Sequence, residues 1–335
     1  MTGGRRLAAG LVWAAALVAL PGCGSSGPSA AGPATSPATT ITTSSPTSTP
    51  SPVTPTPATP TPPPPATSIA VPGGGEPISK VLVFLVENHS LDAMRRDMPW
   101  TNALAQRYGY ATGYRAVAHP SLPNYLAIAG GDTFGITDDH DPAAHPLHGP
   151  SVFGQALARH RTAKVYAEDM PGPCATGDHG RYAVRHNPWT YFVDERAACQ
   201  RYDVPIGALA GDVRSGGLPN VGMVVPNTCS DAHDCPLSEA DRWLHEVVGQ
   251  VMAGPDFASG RLLVVITADE DDHTQDNLVL TTMVTPQISR SFVASDLSHY
   301  SLSGLLSEVA GGAPQRSARS APPLAAAFGL AVAPR

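Results

Sequence analysis

The chain has 335 residues, of which 42% are hydrophobic and 15% charged, and a formal net charge of −7. That acidic balance excludes nucleic acid as the partner, because a phosphate backbone is held by a basic surface. Proline is densest near the N-terminus, and the chain divides into three blocks of different composition.

The first block is residues 1–22. Arg5 and Arg6 precede an apolar stretch from Leu7 to Leu20. The stretch is too short to span a bilayer comfortably, and a basic start before a short apolar run reads as an export signal. Leu20-Pro21-Gly22-Cys23 is similar to a bacterial lipobox, which makes Cys23 a lipidation site and the mature protein an outward-facing lipoprotein of the cell membrane. Pro21 departs from the usual pattern, so secretion after cleavage nearby stays open. Without Arg5 and Arg6 the chain keeps 19 basic against 28 acidic residues, and the acidic character deepens.

The second block, residues 23–75, consists largely of Ser, Thr, Pro and Ala, with hardly a charge. Such a segment cannot bury a core and reads as a semi-extended spacer. It would hold the folded part away from a membrane or carry it through a cell wall.

The third block, residues 76–335, is long enough for one large domain. Strands are expected at Lys80 to Val86, Lys164 to Ala167, Val221 to Val225, Leu262 to Thr267 and Leu278 to Val284. Helices are expected at Trp100 to Tyr108, Pro123 to Ala129, Ser151 to His160, Ser238 to Met252 and His299 to Val309. Alternating strands and helices imply crossover connections and a mostly parallel sheet with helices on both faces, an α/β fold.

Five cysteines are present, and removing Cys23 leaves Cys174, Cys199, Cys229 and Cys235. Four cysteines allow three pairings, and an exported chain meets an oxidising compartment. The sequence-local choice is Cys174–Cys199 with Cys229–Cys235. A zinc site is the rival reading, but no C-x2-C pair supports it.

Chemistry gathers at strand ends. Val81 to Val86 is a fully apolar run that stops at Glu87, Asn88, His89 and Ser90. Leu262 to Ala268 stops in the same way at Asp269, Glu270, Asp271 and Asp272. Fully apolar runs fit strands buried on both faces of a parallel sheet, and ligands bind beyond the carboxyl ends of such strands. Two strands delivering acids to one edge suggest a metal site. Ser121 precedes a helix that opens with Pro123, and a helix N-terminus favours an anion. No G-x-S-x-G elbow is present, which argues against a lipase-type triad.

Five segments in order carry a resemblance: Glu87-Asn88-His89-Ser90, His119 to Tyr125, Pro226-Asn227 through Cys235, Asp269 to Asp272, and His299 to Leu302. Together they resemble the bacterial phosphoesterase family of acid phosphatases and phospholipases C, within the alkaline phosphatase superfamily. The likeness runs over roughly residues 78–310 and is greatest to the secreted mycobacterial acid phosphatase branch, which includes a phosphatidylinositol 3-phosphatase. It implies a three-layer α/β/α sandwich and metal-assisted phosphoryl transfer. The implied metal ligands are Glu87, Asn88, Ser121, Asp269 and Glu270, with Ser121 as nucleophile. Their oxygens suit Mg²⁺, Ca²⁺ or Mn²⁺ better than zinc. Asn124 would contact a phosphate oxygen, with His119 beside it. The departing alkoxide needs a proton, and the candidates are His233, His299 and His186, in that order. The Cys229–Cys235 loop would place Asp231 and His233. Asp271, Asp272 and His273 read as solvated or supporting residues.

The implied activity is hydrolysis of phosphate monoesters, the substrate being a phosphorylated small molecule or lipid, phosphoinositides included. The alternatives are a phospholipase C-type phosphodiesterase and a non-catalytic envelope lipoprotein. His89 stands where the phospholipase C branch usually has Arg, which favours monoesters. Ala268 stands where many relatives have Trp, which would widen the site.

Overall fold

The computed structural model describes residues 76–334. The expected signal, the spacer and Cys23 lie outside the described residues. The chain enters through β1 (Lys80–Val86), α1 (Leu91–Asp97), α2 (Pro99–Arg107), β2 (Gly109–Ala111) and β3 (Tyr114–Arg115). Next come α3 (Ser121–Gly130), α4 (Val152–Ala158), β4 (Ala163–Ala167), α5 (Arg196–Tyr202), β5 (Asp203–Pro205) and α6 (Leu209–Ser215). The second half holds β6 (Val221–Val225), α7 (Leu237–Met252), α8 (Pro255–Ala258), β7 (Leu262–Ala268) and β8 (Thr281–Val284). It closes with β9 (Ser291–Val293), β10 (Leu297–Ser298), α9 (His299–Val309) and α10 (Leu324–Ala327).

Among the described residues one eight-stranded sheet runs in the order β5-β4-β6-β1-β7-β8-β2-β9. β1 lies at its centre, parallel to β6 on one side and β7 on the other. Its residues Val81 to Val86 are all buried, as a strand covered on both faces requires. α3, α4 and α9 pack together as one helical layer, and α1, α2, α6, α7 and α8 as the other. The result is the expected α/β/α sandwich. α7 buries Leu237, Ala240, Leu244, Val248 and Val251 along one stripe. In the same stripe the Asp241 carboxylate accepts the first N–H groups of α2, from Trp100 at 2.9 Å and Thr101 at 2.8 Å.

The expected strand at Leu278 to Val284 begins later, at Thr281, and lies antiparallel to both β7 and β2. Leu278 and Val279 pair elsewhere: the Leu278 carbonyl accepts from Leu91 N at 2.9 Å and Val279 N donates to Tyr114 O at 3.0 Å. Short strands β2, β5, β9 and β10 carry too few residues for a periodic signal. No described helix is long and apolar enough to cross a membrane.

Both expected disulfides are closed. Cys174–Cys199 has its Cα atoms 5.4 Å apart and Cys229–Cys235 has them 4.7 Å apart.

Candidate active site

Strands β4, β6, β1 and β7 are mutually parallel, so their carboxyl ends share one edge. The β1–β7 register pairs Val86 with Ala268, which sets Glu87 beside Asp269 immediately beyond it. Asp231 follows β6 in the loop closed by Cys229–Cys235, and its carbonyl accepts Glu87 N at 2.8 Å. Three buried carboxylates thus meet at the sheet edge.

α3 brings the hydroxyls. Ser121 is its first residue, with Pro120 in the capping position, and the Ser121 Oγ donates to Glu87 Oε2 at 3.0 Å. One turn on, the Tyr125 hydroxyl donates to Glu87 Oε1. The Tyr125 ring stacks on His186, with centroids 5.2 Å apart and planes 6° from parallel. His186 places Nδ1 3.1 Å from Asp231 Oδ2 and Nε2 3.4 Å from Glu87 Oε2. Asn88, at a positive φ of 56°, donates its backbone N–H to Asp269 Oδ1 at 2.9 Å. Its side-chain amide stands 3.5 Å from Glu87 Oε2.

Burial dominates the electrostatics. It pushes Glu87 well above the ordinary carboxylate range, and Asp269 and Asp231 push it further. Burial likewise raises Asp231 to about 7, although the His233 N–H and Arg185 oppose it. Asp269 is raised for the same first reason. His186 is lowered to about 3, chiefly by burial and then by Arg185, so its imidazole is neutral. Among the described residues no Lys or Arg forms an ion pair with Glu87, Asp231 or Asp269. The buried Asp269 Oδ2 has no hydrogen-bond partner, and neither has His186 Nε2, which stands near Glu87 without hydrogen-bond alignment. Three buried acids, a hydroxyl and a neutral imidazole with atoms left over form a donor set that fits a divalent cation. Glu87, Asp231 and His186 each bring one ligand atom within 4.8 Å of the others.

Other expected site residues lie around this centre. Glu270 points away from Glu87, to Asn124 Nδ2 at 3.3 Å and His119 Nδ1 at 3.0 Å, and burial then Asp269 raise it to about 9. Asn124 is fully buried: its Oδ1 accepts from Val117 N and Ala118 N, at 3.0 and 3.1 Å. Its Nδ2 donates to the carbonyls of Ala118 and Pro120 as well as to Glu270. These bonds make Asn124 a brace for the segment before Ser121. His299 is also buried, with Nδ1 on Tyr114 OH at 3.0 Å and Nε2 against the Asp269 carbonyl. It supports the back of Asp269. His233 stands exposed at the rim, Nδ1 2.8 Å from Asp234 Oδ1 and Nε2 3.0 Å from Arg185 Nη2.

Two residues that sequence reasoning did not single out belong here. Arg185 brings a cation beside His233 and depresses both His186 and Asp231. Asp139, from the loop after α3, places Oδ1 2.9 Å from Leu122 N at the first turn of α3. Its charge reaches both Glu270 and His186. Position beside His186 is a weak signal for Arg185; for Asp139 the sequence carries none.

A seryl hydroxyl at a helix start, buried acids at the carboxyl edge of a parallel sheet and a fit for a cation define a phosphoric ester hydrolase. The phosphoesterase family pattern matches residues 84–290, and the chain belongs to that family. It is 30% identical over 256 residues to the phosphatidylinositol-3-phosphatase of Mycobacterium tuberculosis, an alignment covering 74% of this chain and 82% of that one. It is 31% identical over 169 residues to the phosphate-repressible acid phosphatase of Penicillium chrysogenum, covering 48% of this chain and 40% of that one. The chain therefore spans about two-fifths of that fungal relative's length. Among solved structures, an alkaline phosphatase superfamily protein from Vibrio parahaemolyticus aligns at TM-score 0.49 and 9% identity, over 73% of this chain and 69% of that one. A lipoteichoic acid synthase from Listeria monocytogenes aligns at TM-score 0.49 and 9% identity, over 72% and 76%.

Proposed function

We propose that this chain is an exported, metal-dependent acid phosphatase that hydrolyses phosphate monoesters through a phosphoserine at Ser121, with phosphoinositides in its substrate range. The observation that carries the reading is the Ser121 Oγ, held 3.0 Å from Glu87 Oε2 at the start of α3. A nucleophile, a helix dipole and a ring of hard ligands converge there.

Glu87, Asp269, Asp231, Ser121 and His186 would hold a divalent ion, with Asn88 alongside. Such an ion would supply positive charge for the phosphoryl oxygens and a lower pKa for the seryl hydroxyl. Ser121 attacks phosphorus in line with the departing alkoxide. Arg185 faces the charge of the phosphoryl oxygens, and His233, protonated at Nε2 once that nitrogen is released from Arg185, gives the alkoxide its proton. Water then cleaves the phosphoserine. Oxygen ligands favour Mg²⁺, Ca²⁺ or Mn²⁺. The two disulfides support export, since such bonds persist in oxidising compartments. Anchoring through lipidated Cys23 is part of this proposal, and labelled fatty acid tests it. The phosphoinositide assignment is brought over from the Mycobacterium tuberculosis relative's activity.

The test is a metal-replete screen of p-nitrophenyl phosphate, its bis-ester and phosphatidylinositol phosphates. Turnover of monoesters at acid pH, with phosphate trapped on a Ser121 peptide, is expected. Preference for the bis-ester would make the chain a phospholipase C-type diesterase. Inactivity on all three would leave a non-catalytic lipoprotein.

A further inference from the structure

Outside the Glu87 centre, a second group of metal-ligating side chains joins the two loops that deliver the site. His119 ends the segment that leads into α3. Asp271 and His273 lie in the loop after β7. One ligand atom from each lies within 4.8 Å of the others. The two imidazole rings stand 4.1 Å apart between centroids, tilted by 31°.

Asp271 is buried although its loop runs at the surface. Its Oδ1 accepts His273 N at 2.9 Å and its Oδ2 accepts Gln275 N at 2.6 Å. Each carboxylate oxygen retains a second lone pair, so these bonds aim the group without exhausting it. They also hold the backbone of His273 close.

His119 faces a carboxylate with each ring nitrogen. Nε2 lies 3.4 Å from Asp271 Oδ1 and Nδ1 lies 3.0 Å from Glu270 Oε2. Ligating imidazoles usually carry their second N–H on a carboxylate, which fixes the ring and its tautomer. Glu270 Oε2 stands close enough to take that role once the ring aligns, although the buried Nδ1 makes no hydrogen bond, and Nε2 is left to face Asp271 and His273.

We propose that His119, Asp271 and His273 bind a transition-metal ion of the zinc type, separate from the ion of the Glu87 centre, with Glu270 orienting His119. Two nitrogens and one oxygen, with a fourth position open to water, suit zinc better than Mg²⁺ or Ca²⁺. Closing to bonding distance draws in mainly His273, whose side chain is exposed. The ion clamps the segment before Ser121 to the loop carrying Asp269 and Glu270. Two bonds already join these loops: Ala116 N to Asn277 O at 2.8 Å and Asn277 Nδ2 to Ala118 O at 3.1 Å. The site does not depend on the phosphatase mechanism, since Ser121, Asp231 and His186 take no part in it.

The experiment strips the full chain of metal and titrates it with Zn²⁺ by calorimetry, and with Co²⁺ by visible absorption. Wild type is expected to bind one more equivalent of Zn²⁺ than His273→Ala, with the absorption bands of a four-coordinate Co²⁺ site. Asp231→Asn should keep that equivalent, and zinc should raise its thermal midpoint as in wild type. His145→Ala, in the more exposed Asp138–His140–His145 group, serves as the competing site. Equal stoichiometry and affinity in wild type and His273→Ala would overturn the assignment. Loss of the equivalent in His145→Ala instead would also overturn it. Should His273→Ala fail to fold by far-UV circular dichroism, His273→Gln makes the same comparison.

Discussion

The Ser121 hydroxyl and the Glu87 carboxylate, 34 positions apart in sequence, are joined by a 3.0 Å hydrogen bond. Glu87 leaves the central strand β1, and Ser121 opens a helix of one flanking layer. The bond therefore exists only because α3 packs with its N-terminus over the carboxyl end of β1. Tyr125 holds the other Glu87 oxygen, so the carboxylate cannot turn away from the serine.

Ser121→Ala should lower kcat by roughly 10⁴-fold, in line with the loss of a covalent nucleophile. The fold should persist, since the Ser121 hydroxyl bonds Glu87 and the capping position of α3 is Pro120. Steady-state rates and trapping of the phosphopeptide check this. Turnover near the wild-type level would remove the nucleophile assignment.

Asp269→Asn and Asp231→Asn should each weaken binding of the catalytic ion, and excess metal should restore part of the activity. Asp269 offers an unpartnered buried oxygen, so its loss should be the larger. Calorimetric titration with Mg²⁺ and Mn²⁺ reads both variants. Unchanged affinity in both would place the ion elsewhere.

His233→Ala should slow alkyl phosphates by about 10²-fold and p-nitrophenyl phosphate much less, because a good leaving group needs little protonation. A plot of log kcat against leaving-group pKa should steepen relative to wild type. Equal losses on both substrate types would make His233 a positioning residue for Arg185.

Asp139→Ala should tighten inhibition by inorganic phosphate by about 3-fold to 10-fold. Asp139 holds Leu122 N at the start of α3, where the helix dipole favours an anion. The same change removes a cap worth about 1 kcal/mol, so the thermal midpoint should fall. Weaker phosphate inhibition would show that Asp139 does not compete for the phosphoryl seat.

Stability of the metal-free protein should fall as pH rises. Burial raises Asp203 to about 8 and Asp231 to about 7, while unfolded aspartates titrate near ~3.9. Between these limits each of these two carboxyls keeps a proton in the folded state that it loses in the unfolded, so at these sites each unit of pH costs stability. The favourable contribution is complete below about pH 4 and is lost progressively towards pH 8. Metal should offset the loss at Asp231 but not at Asp203, so added Mn²⁺ should raise the midpoint more at pH 7 than at pH 5. Thermal melts across that range, with and without metal, settle the direction.

What the sequence determined by itself was local or periodic. The apolar runs of β1 and β7 named the central strands and the acids at their ends, since a strand buried on both faces leaves its own pattern. The stripe of α7 and the start of α3 near Ser121 were legible for the same reason. The disulfide pairs followed from sequence proximity.

Only tertiary structure decided which groups meet. It brought His186 and Asp231 beside Glu87 and turned Glu270 towards His119. It committed Asn124 and His299 to bracing, and set Asp139 and Arg185 at the mouth. The physical reason is that secondary structure is encoded by neighbours a few residues apart. A site at a sheet edge gathers loops from several strands, and its roles are settled by burial, register and hydrogen-bond competition, none of which leaves a period in the sequence.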